Sequence, residues 1–83
     1  MDPRRKRLIF RCQHRGMKEN DILLGGFVAV HINDLDDTGL DRLEALLEES
    51  DNDLYNWITG KEPPPEAHDH GLMAWLKKFN NAL

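Results

Sequence analysis

Few side chains in this 83-residue sequence have the type and spacing that chemistry requires. His68 and His70 could offer two imidazoles to a metal ion, with Asp69 between them. Residues two positions apart on a helix point to different faces, however, and the sequence supplies no obvious third ligand. We therefore predict no native metal site.

Nucleophilic and nucleotide-binding motifs are equally poorly represented. Cys12 lies on the apolar side of a predicted helix and is expected to be a small core residue, although neighbouring arginines could lower its pKa if it were exposed. Gly25 and Gly26 do not form a phosphate-binding loop, because no strand precedes them and the glycine spacing of a dinucleotide-binding fingerprint is absent. Residue order suggests no Ser-His-Asp arrangement. We predict that the protein is not an enzyme.

Length and composition predict one small domain spanning residues 1–83. The chain has room for a single core, and 40% hydrophobic with 31% charged residues is typical of a foldable, rather polar protein. The single cysteine allows no internal disulfide, which suits a reducing compartment. The apolar run after the N-terminal basic residues is too short for a signal peptide or a membrane span, so we expect a cytoplasmic protein without membrane insertion.

Charge is unevenly distributed along the chain, although the net charge is only -4. Residues 1–18 contain seven Lys and Arg against one acidic residue, whereas residues 19–70 contain fourteen Asp and Glu against two basic residues. The basic end could meet nucleic acid or an acidic protein surface, but the acidic remainder repels phosphate. We predict an electrically polarised molecule that does not bind nucleic acid.

A helical period runs through most of the sequence and predicts an all-α fold, a small five-helix bundle. We expect helices at about residues 4–14, 18–31, 39–49 and 68–81, with a short helix that follows Ser50 and ends at Gly60. The apolar residues expected on the buried faces are Leu8, Ile9, Cys12, Ile22, Leu23, Leu24, Phe27, Val28, Val30, Leu40, Leu43, Leu46, Leu47, Leu54, Trp57, Ile58, Leu72, Trp75, Leu76 and Phe79.

Other residues predict how these helices begin, end and meet. Gly16 is expected in the left-handed conformation after the first helix. Thr38 and Ser50 should cap the third and fourth helices, each with an Asp three residues later. Gly25–Gly26 favours close approach of a neighbouring helix over a bend, and Pro63–Pro65 should form a stiff connector.

The turn between the first two helices carries the most specific group of polar residues. Gly16 lets the backbone approach a partner closely, Arg15 can form a forked pair with a carboxylate or phosphate, and Glu19 can accept hydrogen bonds from a partner. Together they predict a compact recognition surface. A helix C-cap glycine followed by an acidic residue would need no partner, and the residues alone leave both interpretations open.

Four segments together resemble the flavin-assembly factor family that includes bacterial SdhE. They are the motif Arg15-Gly16-x-x-Glu19, the helix Asp21-Ile22-Leu23-Leu24-Gly25, the leucine-rich helix, and Asp53-Leu54-Tyr55-Asn56-Trp57 ahead of a glycine. The resemblance covers most of the chain. It implies a small helical bundle that binds the flavoprotein subunit of succinate dehydrogenase, and often that of fumarate reductase, to promote covalent linkage of FAD to a histidine of that subunit.

The same resemblance implies which residues contact the flavoprotein. They are Arg15, Gly16 and Glu19 at the centre, His14, Met17 and Lys18 beside them, and Asp53 and Tyr55 at the border. FAD would belong to the partner, so this chain is expected to have no cofactor of its own. Leu54 and Trp57 are assigned to packing.

Two other functions would use the same sequence features. The alternative to an assembly factor is a protein-interaction regulator of antitoxin-like type, which would apply the same patch to another target. A third hypothesis is RNA binding through Arg4-Arg5-Lys6-Arg7, which would require strongly salt-dependent binding.

Overall fold

The computed structural model describes residues 1–81 and confirms the predicted all-α, five-helix fold. The helices are α1 (Pro3–Gln13), α2 (Lys18–His31), α3 (Asp37–Leu46), α4 (Asp51–Ile58) and α5 (Gly71–Asn81). Short 3₁₀ turns follow α2 at Ile32–Asp34 and precede α5 at Glu66–His68. The last helix therefore begins at Gly71 rather than at residue 68, because residues 66–68 form a separate turn.

Carboxylate and hydroxyl side chains begin three of the helices. Asp2 accepts a hydrogen bond from the Arg5 amide at 2.9 Å, and Ser50 Oγ accepts one from the Asp53 amide at 3.2 Å, which confirms the predicted cap of α4. The predicted Thr38 cap of α3 is wrong. Asp36 caps that helix by accepting from the Gly39 amide at 2.8 Å, so the helix begins two residues earlier than expected.

The two glycines expected to end helices behave differently. Gly60 follows the end of α4, as predicted, and lies in the left-handed region at φ 83°. Gly60 is also the single residue with this backbone conformation within residues 1–81, so the left-handed conformation predicted for Gly16 is wrong. Helix α1 instead ends at Gln13, and His14 leaves it at φ -131°.

One apolar cluster joins all five helices. Its buried members are Leu8, Cys12, Leu24, Phe27, Val28, Ile32, Leu35, Leu40, Leu43, Leu46, Leu47, Leu54, Trp57, Ile58, Leu72, Met73 and Leu76, with Ile9, Leu23, Trp75 and Phe79 partly buried against them. Ile22 and Val30 were expected in this cluster but are 61% and 62% exposed. Helix α2 packs on α1, α4 and α5 and leaves the side that carries these two residues to solvent.

The close helix approach predicted at the glycine pair is confirmed for Gly25. A Cβ there would lie 3.0 Å from Gln13 Cγ and 3.5 Å from the Cys12 carbonyl oxygen, so α1 packs directly on this glycine. A Cβ on Gly26 would meet Phe79 at an ordinary 3.9 Å. Only the first glycine of the pair is therefore required by packing.

The charge zones of the sequence pair with one another in the fold. Arg4 of α1 contacts Asp41 and Glu44 of α3, and Arg11 contacts Glu48 at 3.1 Å. Several charges of the basic zone are thus partly neutralised, which reduces the charge polarisation expected from the sequence. Within residues 1–81, no helix combines the length and apolar character needed to cross a membrane.

Candidate partner-binding site

The turn between α1 and α2 borders a surface groove of about 350 Å³. The groove is lined by residues of α1, of the turn and of the start of α4: Phe10, Arg11, His14, Arg15, Gly16 and Asp51. The fold thus brings three predicted site residues together, namely His14, Arg15 and Gly16. It also places beside them Asp51, which no motif in the sequence marks as functional.

The guanidinium of Arg15 donates hydrogen bonds to three acceptors within this chain. Its Nε donates to Asp51 Oδ1 at 2.7 Å, while Nη1 and Nη2 donate to the carbonyl oxygens of Leu47 and Glu49 at 2.8 and 3.0 Å. Those two carbonyls lie just after α3, in the short segment that joins it to α4. The side chain is only 14% exposed. The guanidinium donors that we predicted would pair with a partner's carboxylate or phosphate are therefore used within this chain, and any contact of Arg15 with a partner stays a prediction.

Asp51, the first residue of α4, connects this arginine to the turn. In addition to Arg15, its Oδ1 accepts from Asn20 Nδ2 at 3.1 Å, and its Oδ2 accepts from the Met17 amide at 3.2 Å. Burial alone would raise the pKa of Asp51, but the hydrogen bonds from Arg15 and Asn20 and the arginine charge outweigh it and hold that pKa below its ordinary value. Asp51 is thus a carboxylate anion that accepts bonds from three residues.

A second carboxylate holds the other side of the turn. Asp21, in the first turn of α2, accepts a hydrogen bond from the Arg15 amide at 2.5 Å. The amides before and after Gly16 are therefore both bound by side chains. These bonds fix the backbone without a left-handed residue, which is the physical reason that the conformation predicted for Gly16 is wrong.

The outward side of the turn remains open. Gly16, Lys18 and Glu19 are exposed, and Met17 is half-buried as the N-cap of α2. Neither Lys18 nor Glu19 makes an ion pair within residues 1–81. Among the predicted contact residues of the turn, Arg15 is the one that makes an ion pair within residues 1–81, so Gly16, Lys18 and Glu19 can reach a partner without breaking one.

Phe10 is a further exposed residue at this surface, and it is not among the contact residues predicted from the sequence. Its side chain is 61% exposed, and its ring stacks on His14 with centroids 4.0 Å apart. His14 is held in place, because its Nδ1 lies 2.8 Å from the Phe10 carbonyl oxygen. A signal was present in the sequence: Phe10 is an aromatic residue on the polar flank of α1 that carries Arg7, Arg11 and His14.

Asp53 and Tyr55 do not line the groove. Asp53 is exposed in the first turn of α4, where its amide donates to Ser50. Tyr55 lies one turn beyond Asp51 on the same helix and is half-buried, with Lys61 Nζ 4.9 Å from its ring centre. Their predicted place at the border of the contact surface stays a prediction.

The residues first considered for chemistry lie elsewhere and have structural contacts. Cys12 is fully buried, and burial raises the pKa of its thiol to about 12, so the thiolate is strongly disfavoured. His68 is buried with its Nε2 2.7 Å from Glu49 Oε2, while His70 Nδ1 accepts from the Met73 amide at the start of α5. In the part of the chain that the structure describes, no three His, Cys, Asp or Glu residues are grouped to hold a metal ion.

Several known proteins are similar to this sequence over most of its length. It is 37% identical over 81 residues to a protein of Danio rerio named succinate dehydrogenase assembly factor 2, mitochondrial, covering 95% of this chain and 51% of that protein. It is 44% identical over 63 residues to the FAD assembly factor SdhE of Acetobacter pasteurianus, covering 76% of this chain and 58% of that protein. A Candida glabrata protein, also named succinate dehydrogenase assembly factor 2, is 42% identical over 69 residues, which are 80% of this chain and 45% of that protein.

The chain spans about half the length of the curated relatives that it matches. A family model described as the flavinator of succinate dehydrogenase matches residues 6–80, and this range includes α1 from Lys6 onward, the turn, the groove and α2 to α4. With so much of its length matched, the chain belongs to the Sdh5 family, the flavinators of succinate dehydrogenase.

Proposed function

We propose that this protein binds the flavoprotein subunit of succinate dehydrogenase and promotes covalent attachment of FAD to that subunit. The observation that carries the proposal is the family match over residues 6–80, which contains the Arg15–Glu19 motif at the surface of the fold. The same surface would serve the flavoprotein of fumarate reductase where that enzyme is present. The motif's outward residues, Gly16 and Glu19, are available to a partner.

The contact surface must extend beyond the turn. A stable interface buries about 800 Å² on each partner and involves roughly 20 to 30 residues a side, which is more than the few residues of the turn. We therefore include the stacked rings of Phe10 and His14, which continue the groove along α1. An exposed aromatic ring that is already held in one position is a suitable anchor, because little side-chain entropy is lost when a partner covers it.

The proposed contribution of this chain is orientation rather than chemistry. FAD and the histidine that becomes attached to it both belong to the flavoprotein, and holding two reacting groups in position can lower a barrier by several kcal/mol. Preferential binding to the conformation in which those groups meet would raise its population. Release follows if the mature flavoprotein binds this surface less well.

Alternative functions have less physical support. The family description and the relatives' names support assembly and give no support to an antitoxin-like regulator. RNA binding through residues 4–7 is disfavoured because Arg4 is paired with two acids of α3 and Arg5 donates to Asp2 and to the carbonyls of Ile32 and Leu35. We keep the cytoplasm as the proposed location, since a single free cysteine suits a reducing compartment, although the eukaryotic relatives are named mitochondrial.

The test compares flavin covalently bound to the succinate dehydrogenase flavoprotein in cells with and without this protein, read by in-gel flavin fluorescence. Glu19→Ala should abolish the gain in fluorescence and the binding of purified flavoprotein, while the helical circular dichroism is retained. Asp37→Ala is the matched control, because Asp37 is likewise an exposed acid in the first turn of a helix, away from the groove. Equal flavin fluorescence with and without the protein would refute the assembly role.

A further inference from the structure

We propose that Asp51 is a positioning residue that fixes the α1–α2 turn in the shape the flavoprotein recognises. The proposal rests on the function proposed above. Asp51, a residue of α4, would thereby position a turn that lies more than thirty residues earlier in the sequence. Asp51 would act through Arg15 and Met17, whose atoms it holds on either side of Gly16.

The bonding pattern of Asp51 argues for this role. The two carboxylate oxygens have different hydrogen-bond partners: Oδ1 accepts from Arg15 and Asn20, while Oδ2 accepts from the Met17 amide. The Asp51 carbonyl oxygen also accepts from Asn20 Nδ2 at 2.8 Å. Asn20 is itself fully buried in the first turn of α2. Asp51 therefore binds both the turn, at Arg15 and Met17, and the start of α2, at Asn20.

The contact also gives a physical reason for glycine at position 16. The left-handed conformation does not require it, because Gly16 lies outside that region. A Cβ on Gly16, however, would lie 3.3 Å from Asp51 Oδ2, the oxygen that holds the Met17 amide. A side chain there would push this carboxylate, so Gly16 and Asp51 should be coupled in their effect on the turn.

The central variant is Asp51→Asn, which keeps the size of the side chain but turns one acceptor oxygen into a donor. That donor must face either Arg15 Nε or the Met17 amide, both of which are donors themselves. The control is Asp37→Asn, which makes the same change at the first position of α3, where the side chain is exposed and outside the groove. Both variants lose one charge at a helix N-terminus, so only the turn contacts differ.

Two measurements separate positioning from general destabilisation. In Asp51→Asn, hydrogen exchange of the free protein should be faster at the Arg15 and Met17 amides than in the wild type. The exchange rate of the Leu43 amide in the core should change much less than the rates of those two amides. The Kd for purified flavoprotein should be about tenfold higher for Asp51→Asn than for the wild type, at a temperature where the variant remains folded. Asp37→Asn should change neither quantity.

Distinct results would overturn the proposal. A weaker Kd with unchanged exchange at Met17 would make Asp51 a direct contact, and uniformly faster exchange would make it only a stabilising residue. If Asp51→Asn does not fold, Gly16→Ala tests the same contact from the other side, and unchanged exchange and affinity in that variant would also refute the coupling. Failure of the wild-type protein to bind flavoprotein would instead refute the proposed function, while exchange in the free protein would still test the turn.

Discussion

Replacing Arg15 by lysine should lower the stability of the fold even though the charge is kept. The guanidinium spans a carboxylate and two carbonyl oxygens with three separate nitrogen atoms. A lysine ammonium is a single point donor and cannot reach all three acceptors from one position. The most favourable placement for it is beside Asp51, which leaves the carbonyls of Leu47 and Glu49 without this donor.

The size of the effect follows from the two lost hydrogen bonds. Each contributes about 0.5 to 1.5 kcal/mol net, and the loss is somewhat larger when a shielded acceptor remains unpaired. We therefore expect a loss of about 2 kcal/mol in the free energy of unfolding for Arg15→Lys. In a domain of this size that corresponds to a fall in Tm of about 8 to 16 °C. Arg15→Ala should cost more, because it also leaves the Asp51 carboxylate, only 24% exposed, without its counter-ion.

The assay is thermal and urea unfolding followed by circular dichroism at neutral pH. Arg7→Lys is the control, since Arg7 lies on α1, the helix that precedes Arg15, but is exposed and makes no side-chain hydrogen bond or ion pair within residues 1–81. Its effect should stay within about 0.5 kcal/mol. If Arg15→Lys were as stable as the wild type and yet bound flavoprotein poorly, the arginine would face the partner. The internal bonding described above would then be wrong.

Two further predictions concern the packing of α1 and α2. Gly26→Ala should stabilise the fold by about 0.5 to 1 kcal/mol, because alanine favours the helix and its Cβ would meet only Phe79 at 3.9 Å. Gly25→Val should instead destabilise the fold, because it drives a branched side chain against α1. Urea unfolding of both variants measures the difference, and a destabilised Gly26→Ala would contradict the prediction. Cys12, with a thiol pKa near 12 and no exposed surface, should react with a thiol reagent at pH 8 far more slowly in the native protein than in urea. Equal rates in the two conditions would show that α1 does not shield it.

The helices themselves could be predicted because their signals are local. Apolar residues repeat with the helical period in each element, and the capping residue Ser50 lies beside the helix that it begins. The error at α3 is also local, since several residues in the segment from Asp34 to Thr38 can act as a cap and only the three-dimensional structure selects Asp36. Val30 was misplaced because a helical period does not specify how wide a stripe the neighbouring helices will cover.

The interior of the candidate site could not be predicted in the same way. Arg15 and Asp51 lie 36 positions apart, and an aspartate in the first turn of a helix is fully explained by the helix dipole. Nothing in the local sequence therefore indicates that Asp51 meets the turn. The motif itself could be recognised in the sequence. The inward direction of Arg15 could not, because its carbonyl acceptors lie just after α3 and their position depends on where that helix ends.

The two ends of the Arg15–Glu19 motif thus have different physical environments. Arg15 ties the turn to the segment that joins α3 to α4 and to Asp51 at the start of α4, whereas Gly16 and Glu19 face solvent. Loss of partner binding after substitution of either end would look the same in a binding assay alone. Only stability measured on the free protein separates them: a variant at Glu19 should lose affinity at constant Tm, whereas a variant at Arg15 should lose both, because the surface that binds is held in shape by the arginine beneath it.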